Sequence, residues 1–232
     1  MKPVRVLAVT LCVCSALSMS AQQKEDDRLR ASADVLKEIL ATPDKGIPTD
    51  LLNKAQCVVV YPSVKKAAFV VGGSYGRGVI TCRTGENLNG PWSAPAMFAL
   101  EGASFGFQIG GEATDFVLLI MNEQGRKSVM SSKVKLGAEA SAAAGPVGRS
   151  ASAETDAALK AEILSYSRAR GVFGGISLEG STMRSDDDAN KDLYGKELSA
   201  KDIVIEGKVK APADARPLLS VLNRASPHHV SS

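Results

Sequence analysis

The stretch KAAFVVGGSYGRGVITCR (Lys66–Arg83) places four glycines, Gly72, Gly73, Gly76 and Gly78, inside an apolar run. Such a cluster cradles a phosphate, exposes a nucleophile, or lets strands bend and pack closely. A phosphate loop needs a helix directly after the glycines, so that its N-terminal N–H groups face the anion. Here GRGVITCR continues as a strand, with no G-K-[ST] and no G-x-G-x-x-G opening a helix. A nucleophile elbow is matched twice as G-x-S-x-G, around Ser74 and Ser104. That motif sits between strand and helix and needs a histidine base. The only histidines are His228 and His229, near the end of the chain, and no helical periodicity follows either serine. The third reading is left: glycines within strands, as curvature, bulges and close packing require. In this reading Gly76 is a turn glycine with positive φ.

Outward from this stretch the apolar period is two. Cys57–Tyr61, Ala67–Val71, Gly78–Arg83, Met97–Leu100 and Thr114–Met121 read as strands, and Phe105, Phe107 and Ile109 alternate with Gly106, Gln108 and Gly110. VKLGAEASAAAGPVG reads as strands with small side chains, and AEILSYSRARGVFGGISLEGS returns to strand character. Helical spacing is confined to other segments. Residues 24–40 put Leu29, Ala33, Leu36 and Leu40 on one face, TDLLNKA makes a short second helix, and NEQGRKSVMSS and Ala200–Ile205 make two more. RSDDDANKDLYG reads as a polar loop. No strand–helix–strand alternation recurs, which excludes a doubly wound parallel sheet. The predicted class is α+β: a curved antiparallel sheet or partly closed barrel, with N-terminal helices and short peripheral ones.

Residues 1–21 have the pattern of a secretory signal peptide: Lys2 and Arg5, an apolar stretch from Val6 to Leu17, then small residues. The apolar stretch is too short for a comfortable membrane span. Leu11 and Val13 precede Cys12 and Cys14 and do not suit a lipid-attachment site. Processing removes two of 28 basic residues against 25 acidic ones, and the net charge falls from +3 to +1. This supplies no global field for nucleic acid. The expected organisation is one domain over 22–206 and a mobile tail over 207–232, with a helical turn at Ala215–Leu222. The expected location is periplasmic or secreted, including a peripheral position on a membrane. Cys57 and Cys82 remain after processing, and an even pair in an exported chain reads as a disulfide. The alternative is two separate buried thiols.

Three further constellations bear on chemistry. Asp186, Asp188, Asn190, Asp192, Tyr194 and Glu197 follow the ligand spacing of an EF-hand loop, although Lys191 stands where the sharp turn wants glycine. A calcium loop is weighed there against a solvated acidic loop that caps a helix; no cofactor is expected. Glu112 with Asp115 is the one carboxylate pair retained for acid–base chemistry. Lys65 and Lys66 follow Pro62 at a predicted turn, Arg77 lies in the glycine hairpin, and Arg126 and Lys127 lie on a short helix. If these turns share one end of the sheet, they form a cationic rim for phospholipid headgroups.

Taken in order, IPTDLLNKAQCVVVYPSVKKAAFVVGGSYGRGVITCR, GFQIGGEATDFVLLIMNE, LGAEASAAAGPVGR, AEILSYSRARGVFGGISLEGS and DDDANKDLYG resemble the SYLF domain family, from about Arg28 to Ile205. The resemblance implies a non-enzymatic domain. It implies phosphoinositide binding, and for some members actin binding, in eukaryotic relatives, and exported lipid-binding proteins among bacterial ones. No actin-binding motif is matched, so actin binding is not expected for an exported bacterial protein. The motif residues that carry over are Gly72, Gly73, Gly76, Gly78, Gly106, Gly110, Asp115, Gly145, Pro146, Gly174 and Tyr194, most with architectural roles. The expected function is binding of anionic phospholipid or another amphiphile at the bacterial cell envelope. The alternative is a structural or interaction protein of the envelope without a lipid ligand.

Overall fold

The run Cys57–Tyr61 has no polar position because both faces of its strand are covered. The structure is a computed structural model that describes residues 4–42, 46–68, 71–105, 112–147, 160–169 and 172–229. Strand β1 (Cys57–Ala68) lies between β2 (Val71–Cys82) and β4 (Glu112–Ile120), antiparallel to both. Beyond β2 come β3 (Ala96–Phe105), β9 (Thr182–Ser185) and β5 (Lys133–Lys135). Beyond β4 come β7 (Ile163–Ala169) and then β6 (Ala142–Ala144), with β8 (Val172–Gly175) also on β7. All these pairings are antiparallel except β6 with β7. Val58 and Val60 join a core under the helices, while Cys57, Val59 and Tyr61 point into a second core on the opposite face.

The helices divide between those cores. Helix α1 (Val4–Leu40) buries Leu29, Ala33 and Leu36 on the first, as the spacing of residues 24–40 predicts, but its last buried position is Ile39, while Leu40 is only partly buried. It is one continuous helix, which extends N-terminally through the segment read as a leader. Helix α2 (Thr49–Lys54) adds Leu52 to this core. On the other face, α3 (Glu123–Val129) supplies Val129. Helix α4 (Asp187–Tyr194) returns to the first core through Ala189 and Leu193. Helix α5 (Ala200–Val204) belongs to the second through Ile203 and Val204 and is closed by a Ser199–Asp202 capping box.

The opening glycines have a single architectural purpose. The β1–β2 register slips between Val60 and Lys65, and the β1–β4 register between Tyr61 and Val64, so β1 bulges at Pro62–Ser63. Ser63 has φ of 59°, and its backbone N–H donates to Asp115 Oδ1 at 2.8 Å. The bulge presses on β2 where β2 has no side chains. A Cβ on Gly78 would lie 2.0 Å from the Val60 carbonyl oxygen, and one on Gly76 would lie 2.4 Å from Val64 Cγ2. Gly76 is therefore a strand glycine selected by close approach; it is not a turn glycine, and its φ is not positive. The predicted turn at Pro62 is this bulge, and the β1–β2 pairing continues past it to Ala68 and Gly72.

A bulge increases local twist and bends its strand, and the sheet curls into a half-barrel around the second core. The edge strands β5 and β6 are joined through residues 136–141, where Leu136 bridges to Ala140. Cys57 and Cys82 face each other across β1 and β2 as a buried disulfide, which resolves the two readings of that pair.

Two sequence expectations change. Residues 207–232 do not form a mobile tail throughout, because helix α6 (Arg216–Ala225) packs along α1 and buries Leu218 and Leu222, with Ala215 just before it. Their three- and four-residue spacing is an amphipathic face, obscured in the sequence by Pro212 and Pro217. RSDDDANKDLYG is not a loop either: it ends β9 and then forms α4, because Ala189 and Leu193 share a buried face. The alternation at Phe107 and Ile109, with Gly106 and Gly110, lies outside the described residues.

Gly78→Ala is expected to cost about 3 kcal/mol, the upper range for overpacking a filled interior. Gly174→Ala, whose added Cβ meets nothing within 4 Å, is expected to stay within about 0.5 kcal/mol. Chemical denaturation of both variants measures the difference, and equal stabilities would show that the bulge does not depend on the glycines.

Candidate functional site

Two ionic clusters hold α1 across the strands. At one end, Arg77 of β2 donates from Nε to Asp186 Oδ2 at 2.5 Å, and its Nη1 lies 3.9 Å from Glu25 of α1. Glu25 is buried and also pairs with Arg28. At the other end, Arg168 of β7 bridges Asp115 of β4 to Glu38 of α1. Asp115 thus serves both the bulge and the helix clamp. Thirteen helical residues from Glu25 to Glu38 span about 20 Å. The three strand spacings from β2 to β7 span about 14 Å, so α1 has the length to cross all four strands. Burial alone would raise the Asp186 carboxyl, but the hydrogen bond and charge of Arg77 outweigh it and hold Asp186 below the ordinary carboxylate range. The hydrogen bond to Asp186 likewise lifts Arg77 above the usual arginine range.

Beyond this clamp, toward the β1–β2 hairpin, the outer face of the sheet is open. The registers run Lys65 to Tyr75, Tyr75 to Glu101, Glu101 to Thr182 and Thr182 to Lys135, a single row across β1, β2, β3, β9 and β5. Directly paired residues project from the same face. Tyr75 is 47% exposed in the middle of the row. In the adjacent row Lys133 pairs with Arg184, whose Nε donates to Glu101 Oε1 at 2.8 Å. No described carboxylate forms an ion pair with the exposed side chains of Lys65, Lys133 or Lys135, so this face carries an excess of positive charge around an exposed aromatic ring.

The residues expected to form one rim are separated. Lys65 lies on this open face, whereas Arg77 is taken up by the clamp. The side chain of Lys66 lies outside the described residues. Arg126 and Lys127 are on α3, which follows Ile120, the partner of Cys57 at the other end of β1. Lys127 is paired there with Glu123 at 2.8 Å. Eight residues of strand from Cys57 to Lys65 put about 25 Å between the two ends. Lys65, Arg77, Arg126 and Lys127 therefore do not meet at one end of the sheet, because Lys65 and α3 stand at opposite ends of β1.

The EF-hand spacing is also reassigned. Asp188, Asn190 and Asp192 lie on α4, so they do not converge as loop ligands do. Asp186 immediately precedes that helix and pairs with Arg77; Asn190 is buried and accepts the Met97 backbone N–H at 2.7 Å; Glu197 pairs with Lys191. Among the described residues no group of three or more such side chains is placed to hold a metal ion. Asp115 is engaged by Ser63 and Arg168, and the side chain of Glu112 lies outside the described residues. Ser74 sits within β2, its hydroxyl 3.5 Å from the Gly102 carbonyl, with no strand-to-helix turn around it. Sequence reasoning missed Tyr75, Lys133 and Lys135. The alternation in Lys133–Val134–Lys135 was the signal for an outward-facing pair, but only the register places it on the same face as Tyr75, three strands away.

Residues 101–225 match the profile of the Ysc84 family, described as Las17-binding protein actin regulator. The chain belongs to this family, the one anticipated from the SYLF resemblance. LAS seventeen-binding protein 3 of Saccharomyces cerevisiae is 34% identical over 208 residues, 88% of this chain and 44% of that protein. Protein YSC84 of the same yeast is 37% identical over 182 residues, 77% of this chain and 38% of its own length. SH3 domain-containing YSC84-like protein 1 of Xenopus laevis is 32% identical over 200 residues, 84% of this chain and 58% of that protein. The chain thus spans about half the length of these relatives.

Asp186→Asn is expected to destabilise the fold by about 2 kcal/mol, because it leaves the part-buried Arg77 without its nearest carboxylate. The sign with pH follows from the lowered Asp186 pKa. The pair contributes fully above the unfolded carboxylate value near 3.8, and that contribution is lost as pH falls through the lower folded value. Thermal midpoints between pH 2 and 6 should fall less steeply toward acid in the Asn variant; parallel curves would remove the pair from the acid response.

Proposed function

We propose that this chain is a non-enzymatic binding domain that attaches to anionic phospholipid surfaces through the open outer face of its sheet. The observation that carries this reading is the row with exposed Tyr75 between Lys65 and Glu101, with Lys133 and Lys135 at the far edge. A tyrosine with an apolar body and a polar tip suits the headgroup level, and unpaired lysines supply attraction to anionic lipid. The buried face of α1 is occupied by the sheet, so the sheet face and not the helix makes the contact. We further propose an exported setting at the cell envelope, which rests on the composition of residues 1–21. Cleavage near Ala21 leaves Glu25 and every later docking residue of α1 in place.

A second reading has its own support. The family description refers to Las17 binding and actin regulation, and one yeast relative is named as LAS seventeen-binding. The same basic and aromatic face would then receive an acidic protein segment.

Co-sedimentation of the chain with vesicles of phosphatidylglycerol and phosphatidylcholine separates the readings. Each lysine near an anionic surface is worth about 1 kcal/mol, so Lys65→Gln, Lys133→Gln and Lys135→Gln together should weaken binding by roughly a hundredfold. Raising salt to about 1 M should have a similar effect, since the screening length shrinks to about 3 Å. The thermal midpoint should stay nearly constant, because these side chains are exposed and no described carboxylate pairs with them. Binding that survives the triple substitution would move the contact elsewhere, and no vesicle binding would favour the protein-partner reading.

A further inference from the structure

Helix α6 ends against a charge that no described carboxylate neutralises. Arg83, at the end of β2, is 1% exposed. Its guanidinium lies 4.1 Å from the centroid of the Trp92 ring. Nη2 donates to the Ser226 carbonyl and to the Ser226 hydroxyl, both at 2.5 Å, and Trp92 Nε1 donates to the same carbonyl at 3.4 Å. Nε and Nη1 are buried without a hydrogen-bond partner. No described carboxylate pairs with Arg83, and burial draws its pKa down to about 10.

A guanidinium out of water needs an anion or a full set of acceptors. Here it receives a carbonyl, a hydroxyl, an aromatic face and the negative end of the α6 dipole, a partial charge only. A carboxylate would accept two parallel N–H bonds from the same fork and supply a whole charge. The resident helix is therefore an incomplete ligand for this site. It is held otherwise by Leu218 and Leu222, eight and four positions before Ser226, and by the Asp214–Arg30 pair at the surface.

We propose that Arg83 and Trp92 form a carboxylate-reading site, occupied in this structure by the end of the chain's own α6. Its ligand is an amphipathic helix of a partner protein, with apolar residues four and eight positions before an Asp or Glu that takes the place of Ser226. This site is separate from the outer face, so either can fail alone.

Trp92 is the sole tryptophan of the chain, so its emission reports directly on the site. The probe is a synthetic peptide of residues 211–229, with Ser226 kept or carrying Ser226→Asp, titrated into the full chain and into a Leu222→Ala chain with a weakened resident helix. A saturable change in emission is expected, tighter in Leu222→Ala, with the Asp peptide binding at least about tenfold better than the Ser peptide. Arg83→Lys keeps the charge but loses the fork, and should abolish that preference. Within the full chain, Ser226→Asp should raise the thermal midpoint, and should not do so beside Arg83→Lys. Several results would overturn the proposal: no saturable change in a Leu222→Ala chain with native circular dichroism, equal affinity for the two peptides, a preference that survives Arg83→Lys, or no gain from Ser226→Asp.

Discussion

The bulge of β1 at Pro62–Ser63, seated against Gly76 and Gly78 of β2, is the contact from which the rest of the architecture follows. Two backbones approach there more closely than any side chain permits. The extra residues in β1 shift its register against both neighbours, and the added twist lets a nine-stranded sheet curl around its own side chains. Tyr61 fills the inside of the bend, with its hydroxyl 3.4 Å from the Ala99 carbonyl. Asp115 fixes the bulge from the other side by accepting the Ser63 N–H. Because Asp115 also pairs with Arg168, which reaches Glu38, the bend and the helix that covers it share one carboxylate.

That sharing decides which part of the sheet is covered. The clamp residues fix α1 over the middle of the strands, where Val58, Val60, Val79 and Val117 form its bed. Past the clamp the outward positions change from apolar residues, Val60, Val79 and Met97, to Lys65, Tyr75 and Glu101. A polar face on an antiparallel sheet is stable in water without a second layer. The covered and open areas are thus two lengths of the same strands, separated by the arginine pairs that end the helix-covered region. The disulfide lies at the opposite end of β1 and β2. It ties the strands at the end away from their hairpin, so β1 and β2 are covalently linked at both ends.

Motif residues that look alike in sequence turn out to act differently. Gly76 and Gly78 admit a neighbouring backbone, Gly145 admits the Tyr166 ring, and Gly174 has nothing close to it. Tyr194, at an apparent metal-loop position, instead donates its hydroxyl to the Pro95 carbonyl at 2.6 Å. Asp188 and Asp192 are four residues apart, which suits a calcium loop on paper and one face of a helix in fact. The helix wins because Ala189 and Leu193 repeat at the same interval and bury apolar surface. Six neighbouring acidic and amide groups gave no cue that outweighed that pair.

The amino-acid sequence by itself determined the fold class, the strand content of the glycine segment, the apolar face of α1 over residues 24–40 and the family, because those depend on local periodicity and on residue types in order along the chain. Tertiary structure alone decided which charges stand together. Arg77 became a clamp when the fold brought it to Asp186 and Glu25, 109 residues ahead and 52 behind in the chain. Lys65, Tyr75 and Lys135 became one surface through four strand registers. Arg83 became a buried charge only because residues 143 positions away fold back over it. Local patterns reach about one helical turn or one strand, whereas the register of a curled sheet and the docking of a distant helix are set by how bulges, glycines and buried side chains fit in three dimensions.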